Sequence, residues 1–315
     1  MYKNEEETQA IAALKEVALE NLKEQRRARR WGIFFKFALM AYLLLLLGFT
    51  VIPMLSKQGS EADEFTAVVR INGAIAEGNE ASADKVVGSL RRAFKNDKTQ
   101  GVILYINSPG GSPVQSGYIN DEIRRLKAQH EDIPVYAVVA DICASGGYYI
   151  AVAADEIYAN KASIVGSIGV RMDSFGFTGT MEKLGVERRL YTAGNNKGML
   201  DPFLPEVPAE IEHIESMLEV THQQFIDVVK QGRGERLQDN PAIFSGLFWT
   251  GETALDLGLI DGLGSPSYVA REVIGTEDMV DFTMRKDWVE QITERFGLSL
   301  RTLLQEESQP QLNLY

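Results

Sequence analysis

The chain has a single cysteine, Cys143, in 315 residues. One thiol cannot close an intramolecular disulfide, so cysteine usage says nothing about compartment. Histidine is almost as scarce: His130, His213 and His222. None stands in a glycine turn, and His213 and His222 do not form a zinc signature, so histidine triads and histidine metal sites find little footing. Positive charge is not in excess either. A net charge of −12 argues against nucleic acid as a partner of the soluble part. Internal repeats and low-complexity tracts are absent, which excludes solenoids and arrays. The length is ample for one large core or two modest ones.

What is present starts with a long apolar run. Residues 1–30 are charged and helix-prone, and Ile11, Leu14, Val17, Ala18 and Leu22 recur at roughly helical spacing. They read as a solvated amphipathic helix, with a partner-binding or membrane-surface helix as the alternative. Residues 31–53 are almost wholly apolar, with Lys36 their one charge. That length suits the ~20 residues needed to cross hydrocarbon, and the stem of Lys36 can snorkel to the headgroups. Arg26, Arg27, Arg29 and Arg30 precede the run, so the N-terminus is expected in the cytoplasm and the bulk of the chain outside. An uncleaved anchor is preferred to a signal peptide. The charged leader is long, and Ser56-Lys57-Gln58 is a poor cleavage site. A polar tether over 54–64, a soluble domain over 65–275 and a charged extension over 276–315, disordered towards its end, complete the expected layout.

Two stretches organise the soluble domain. Asn107-Ser108-Pro109-Gly110-Gly111 follows the β-type run Val102-Ile103-Leu104-Tyr105-Ile106. Asp141-Ile142-Cys143-Ala144-Ser145-Gly146-Gly147 follows Val135-Tyr136-Ala137-Val138-Val139. Each leads into a helical pattern, so strand, glycine turn and helix occur twice. Such turns leave backbone N–H groups free at the ends of parallel strands. Ser145 beside them supplies the two needs of acyl transfer, a nucleophile and a cradle for the oxyanion. A plain helix N-cap is the bland role for Ser145. Cys143 is the thiol alternative, but it would sit within the strand end with no histidine near in sequence. Further strands are expected at 155–159, 164–170 and 187–191, and an amphipathic helix at 208–229.

These motifs resemble the signal peptide peptidase A family, membrane-bound serine–lysine proteases whose fold is shared with the Clp protease proteolytic subunit and the crotonases. The likeness runs from about Phe65 to about Val269. It takes in Ile164-Val165-Gly166-Ser167-Ile168-Gly169-Val170, Thr192-Ala193-Gly194-Asn195-Asn196-Lys197, and Trp249-Thr250-Gly251 through Gly258-Leu259-Ile260-Asp261. The resemblance implies an α/β fold of repeated ββα units behind the N-terminal transmembrane helix. It implies Ser145 as nucleophile and Lys197, about fifty residues later, as base. Oxyanion donors would be Gly110 or Gly111 together with Gly146, and Ser167 would orient the lysine amine. No metal or organic cofactor is implied. The substrates would be remnant signal peptides, and the place the bacterial inner membrane, crossed once, with the catalytic domain periplasmic. Larger relatives carry the catalytic unit twice, with serine and lysine drawn from different copies. A single unit is therefore expected to assemble as a homo-oligomeric ring, an octamer by family likeness, in which Ser145 of one protomer meets Lys197 of the next.

A lysine base acts only when uncharged, whereas an ordinary lysine stays charged to about pH 10; burial or a neighbouring cation is needed. Two other functions fit the pattern. A crotonase-like hydratase or isomerase would use the same glycine turns on a coenzyme A thioester but needs neither Ser145 nor Lys197. An inactive membrane scaffold would need only the N-terminal helix.

Overall fold

The computed structural model describes residues 2–56 and 63–284, in two compact units divided near residue 61. The first unit is one helix, α1, Tyr2–Ser56. Within its stretch Leu19–Phe49 an 18-residue window has a mean hydropathy of 2.1 and is not buried within the protein. Among the described residues it is the one helix long and apolar enough to cross a membrane. The helix runs from Tyr2 through the anchor expected at 31–53 and ends at Ser56. Residues 57–62 of the expected tether, and 285–315 of the extension with its expected disorder, lie outside the described residues.

The second unit is built on parallel strands. β1 (Phe65–Asn72), β2 (Thr99–Ser108) and β3 (Val135–Ala144) pair side by side, linked by α2 (Ala83–Phe94) and α3 (Pro113–Gln129). Alternation sorts their side chains onto two faces. Ala67, Val69, Val102, Leu104, Ile106, Ala137 and Val139 enter the main core, while Val68, Ile103 and Val138 meet Val269 and Ala270 on the other side. Both faces are covered, as parallel sheets require. Each fully buried Leu, Ile or Val stabilises the fold by about 1.5–3 kcal/mol. α3 starts cleanly: Pro113 opens it, where a missing N–H costs nothing, and the Ser112 side chain caps Gln115 N–H.

β3 is where the sheet divides. Its first half pairs with β4 (Glu156–Ala159) and its second half with β5 (Ile164–Gly166). The fork gives the end of β3 its own neighbours, and that end delivers Ser145. Past it lies α4 (Gly146–Ala151). The remaining elements are α5 (Thr178–Leu184), α6 (Pro208–Arg233), β6 (Phe248–Thr250, antiparallel to β5), α7 (Gly251–Asp256), β7 (Gly262–Leu263, beside β4), the short α8 (Pro266–Tyr268) and β8 (Met279–Asp281).

Three expectations need correction. No strand forms at 187–191; those residues are exposed and have no ladder partner. The strand expected at 164–170 stops at Gly166, because Gly166 (φ +110°) and Ser167 (φ +54°) leave extended geometry. The stretch after 276, read as an extension, contributes β8, which pairs in parallel with Thr66–Val68 of β1.

Candidate active site

Ser145 sits between β3 and α4 at φ +51° and ψ −122°, a conformation that costs a non-glycine residue about 1–3 kcal/mol. Its backbone is pinned in this state. The Ser145 N–H donates to Gly166 O at 2.8 Å, and Ser145 O accepts from Tyr149 N–H at 3.0 Å. The side chain caps nothing in α4, so the hydroxyl is left for other work. The N-cap alternative for Ser145 is thereby set aside. Cys143, two residues earlier, is fully buried, and burial pushes its thiol up, away from the thiolate a nucleophile needs.

The two glycine turns meet at this serine. Gly110 adopts φ +101°, and a methyl group there would lie 2.7 Å from Ser145 Cβ and 2.8 Å from Gly146 N. Only glycine lets the first turn come so close to the second. Asn107 Nδ2 donates to Asp141 Oδ2 at 3.0 Å, a further tie between the strands that carry the turns. Gly111 is held beside Ile75: Ile75 N–H donates to Gly110 O at 2.9 Å and Ser112 N–H donates to Ile75 O at 2.8 Å.

Hydrogen bonding separates the candidate oxyanion donors. The Gly110 N–H is taken, donating to Ser108 Oγ at 3.1 Å, and Ser108 Oγ donates in turn to Gly73 O at 2.7 Å. Among the described residues the N–H groups of Gly111 and Gly146 have no acceptor. Gly146 opens α4, where an unclaimed N–H is the normal state of a helix start. Of the two glycines that the sequence leaves open, Gly111 is the one whose N–H is unclaimed.

Ser167 is close to Ser145 through the backbone, one residue beyond the Gly166 carbonyl that accepts from Ser145. It also has positive φ, and its N–H donates to Leu247 O at 2.7 Å. Lys197 is elsewhere. It lies in an exposed turn within an arm, residues 171–207, that projects its apolar side chains: Phe175 and Tyr191 are 76% and 88% exposed, and α5 buries nothing. The arm is held by its own contacts, Phe177 against Phe203 at 5.5 Å and Arg188 to Asp201 at 2.9 Å. Among the described residues Lys197 Nζ makes no hydrogen bond or ion pair, to Ser145 or to any other group. The chain therefore brings Ser145, Gly110, Gly111, Gly146 and Ser167 together and leaves Lys197 apart. One further residue escapes sequence reasoning, Ser116, whose buried hydroxyl reaches Gly146 from α3. Nothing in the run Pro113-Val114-Gln115-Ser116 marks it out.

No group of three or more His, Cys, Asp or Glu side chains among the described residues could hold a metal ion. Tyr148, beneath the serine on α4, donates its hydroxyl to Leu259 O at 2.7 Å, and burial pushes its titration upward. It is a structural anchor for α4.

Known proteins match along this same stretch. Residues 127–278 match the model of peptidase family S49, and residues 66–164 match that of Clp protease. A provisionally named protease of Synechocystis sp. is 32% identical over 199 residues, 63% of this chain and 69% of that protein. Protease 4 of Haemophilus influenzae is 31% identical over 209 residues, 63% of this chain and 32% of that protein. A Brucella melitensis protein named Na(+)/H(+) antiporter NhaA is 50% identical over 213 residues, 66% of this chain. The chain spans only 29% of that protein's length, so the antiporter name describes a much longer molecule. The fold and the order of its motifs agree with these matches, and the chain belongs to peptidase family S49, the family of signal peptide peptidase A.

Proposed function

We propose that this chain is a membrane-anchored serine endopeptidase that uses Ser145 and Lys197 to hydrolyse peptide bonds. The observation that carries the reading is the convergence at Ser145. A serine with positive φ stands at an uncapped helix start, against Gly110, with the Gly111 and Gly146 N–H groups unclaimed.

In the proposed reaction, neutral Lys197 takes the proton of Ser145 Oγ, and the oxygen attacks the scissile carbonyl carbon. The negative charge that moves onto the carbonyl oxygen is met by Gly111 N–H and Gly146 N–H. Each such donor is worth roughly 3 kcal/mol of barrier. Collapse breaks the C–N bond, and the leaving amine takes the proton from Lys197. A water, deprotonated by the Lys197 amine, then attacks the acyl carbon, the bond to Ser145 Oγ breaks, and Oγ takes the proton back from Lys197. Ser167 is proposed to orient the lysine amine, supported by its position next to the Gly166 carbonyl that holds Ser145.

The exposed arm bears on assembly. A lysine with no partner, on a segment that leaves large apolar side chains in solvent, fits a base delivered to a neighbouring protomer's Ser145. A closed ring of such head-to-tail contacts is the proposed assembly. The layout proposed for the chain keeps residues 1–30 in the cytoplasm, 31–53 in the membrane and the peptidase domain, 65–275, outside. Such an anchor holds the site close to substrates left in the bilayer, and remnant signal peptides are the proposed class. The test is turnover of casein together with labelling by a fluorophosphonate. Wild-type chain should do both and Ser145→Ala neither. Full turnover by Ser145→Ala would refute the reading.

A further inference from the structure

The hydroxyl of Ser116 is buried and has no hydrogen-bond partner, in a residue that is 0% exposed. Two other helical hydroxyls in this protein turn back to the carbonyl four residues earlier. Ser89 Oγ donates to Lys85 O at 2.6 Å and Thr221 Oγ1 to Met217 O at 2.9 Å. Ser116 has the same option, since the Ser112 carbonyl already accepts its backbone N–H at 3.1 Å, and its Oγ does not take it. Instead it faces Gly146. A methyl built on Gly146 would lie 2.4 Å from Ser116 Oγ and 3.3 Å from Gly111 N. The hydroxyl therefore lies against the face of Gly146 on which a side chain would stand.

An unpaired buried hydroxyl lowers stability, so its presence beside Gly146 calls for a gain of another kind. α4 has no side-chain cap, and Ser116 Oγ is the nearest atom to a Cβ built on its first residue. We propose that Ser116 is a positioning residue of the oxyanion hole: its oxygen, packed on the Gly146 Cα, keeps the Gly146 N–H aimed at the same point as that of Gly111. Without it, a gap opens beside Gly146 and the donor can swing out of line when charge develops on the substrate carbonyl. This inference rests on the reading of Ser145 as nucleophile and of Gly111 and Gly146 as donors.

The test uses the full-length chain in detergent and compares wild type, Ser116→Ala, Ser116→Thr and Ser145→Ala. Removing a whole oxyanion donor slows reactions by about 100- to 1000-fold, so loss of its support in Ser116→Ala should lower kcat by roughly 10- to 100-fold. KM should stay within about two-fold, and Tm should be unchanged or higher, because an unpaired hydroxyl has been removed. Inhibition by a peptide boronate, whose tetrahedral adduct fills the oxyanion hole, should weaken in step with kcat. Ser116→Thr, which keeps the oxygen, should recover most of both. Ser116→Cys, close in volume but a weak hydrogen-bonding group, replaces the alanine variant if that one does not fold. Unchanged kcat and boronate inhibition in Ser116→Ala, with Ser145→Ala inactive, would overturn this inference alone. An active Ser145→Ala would remove the reading beneath it.

Discussion

At the scale of single residues, the site depends on a few backbone geometries that side-chain chemistry then uses. Ser145 and Ser167 both hold positive φ, and both are locked there by hydrogen bonds from their own N–H groups, to Gly166 O and Leu247 O. Strain of this kind persists only where neighbours enforce it. At Ser145 it goes with a hydroxyl that caps nothing in α4. The base is a separate matter. If Lys197 acts uncharged, kcat/KM should rise with pH, and Lys197→Ala should abolish turnover. His130→Ala, His213→Ala and His222→Ala should each leave turnover largely intact. His130 packs on the Phe94 ring at 5.4 Å, and the other two lie along α6. An inactive but folded histidine variant would return the base to histidine. The serine, the lysine and the glycines were legible as residues. That Gly110 spends its N–H on Ser108 was not, because a hydrogen bond between neighbours in a turn leaves no trace in composition or spacing.

At the scale of elements, ion pairs tie helices to each other and to the sheet. Glu122 on α3 is nearly buried and is gripped by Arg125 at 2.6 Å and by Arg91 of α2 at 2.7 Å. The hydrogen bond from Arg125 is the largest cause, with Arg91 adding to it, and together they hold the carboxyl down to about 2. A carboxylate lowered in the folded state stabilises the fold above its unfolded value and loses that contribution as pH falls. Here the loss should run from about pH 4.5 down to about pH 2. Glu122→Gln should cost about 2 kcal/mol at neutral pH and flatten the acid limb of a Tm-against-pH curve in that window. An unchanged acid limb would mean that the pair does not link α2 to α3. A second tie joins the end of α6 to the sheet. Fully buried Arg233 binds Asp261 through two bonds, at 2.7 and 2.9 Å, and Asp261 also accepts from Ile157 N–H of β4. These partners offset the burial that would otherwise raise the Asp261 carboxyl and leave it lowered. Removing the arginine alone would strand a partly buried carboxylate.

At the scale of the whole molecule, the proposed function makes two predictions, on topology and on assembly. A topology reporter fused after Tyr315 should be active only outside the cytoplasm, given the arginines before Trp31. Activity of that reporter in the cytoplasm would reverse the orientation. Ser145→Ala and Lys197→Ala chains, each inactive alone, should regain turnover when co-assembled. Mixed rings would then contain interfaces that pair an intact serine with an intact lysine. Well-mixed rings without recovery would place the dyad inside one protomer.

The sequence by itself determined the fold class, the long apolar helix and the two glycine turns. Each is written in local terms: apolar β-type runs before the turns, a longer apolar run in α1, and glycines where a strand meets a helix. It also singled out Ser145, because hydroxyl and glycines are neighbours in the chain. Tertiary structure decided what depends on pairing between distant segments. It ended the 164–170 run at Gly166, left 187–191 without a ladder and recruited Met279–Asp281 to the sheet edge. It brought Gly110 against Ser145 and Ser116 against Gly146, and kept Lys197 on an exposed arm. A strand exists only where another strand offers hydrogen bonds, and a donor is free only when no neighbour has claimed it. Both conditions are properties of the folded chain, so no reading of one segment at a time could supply them.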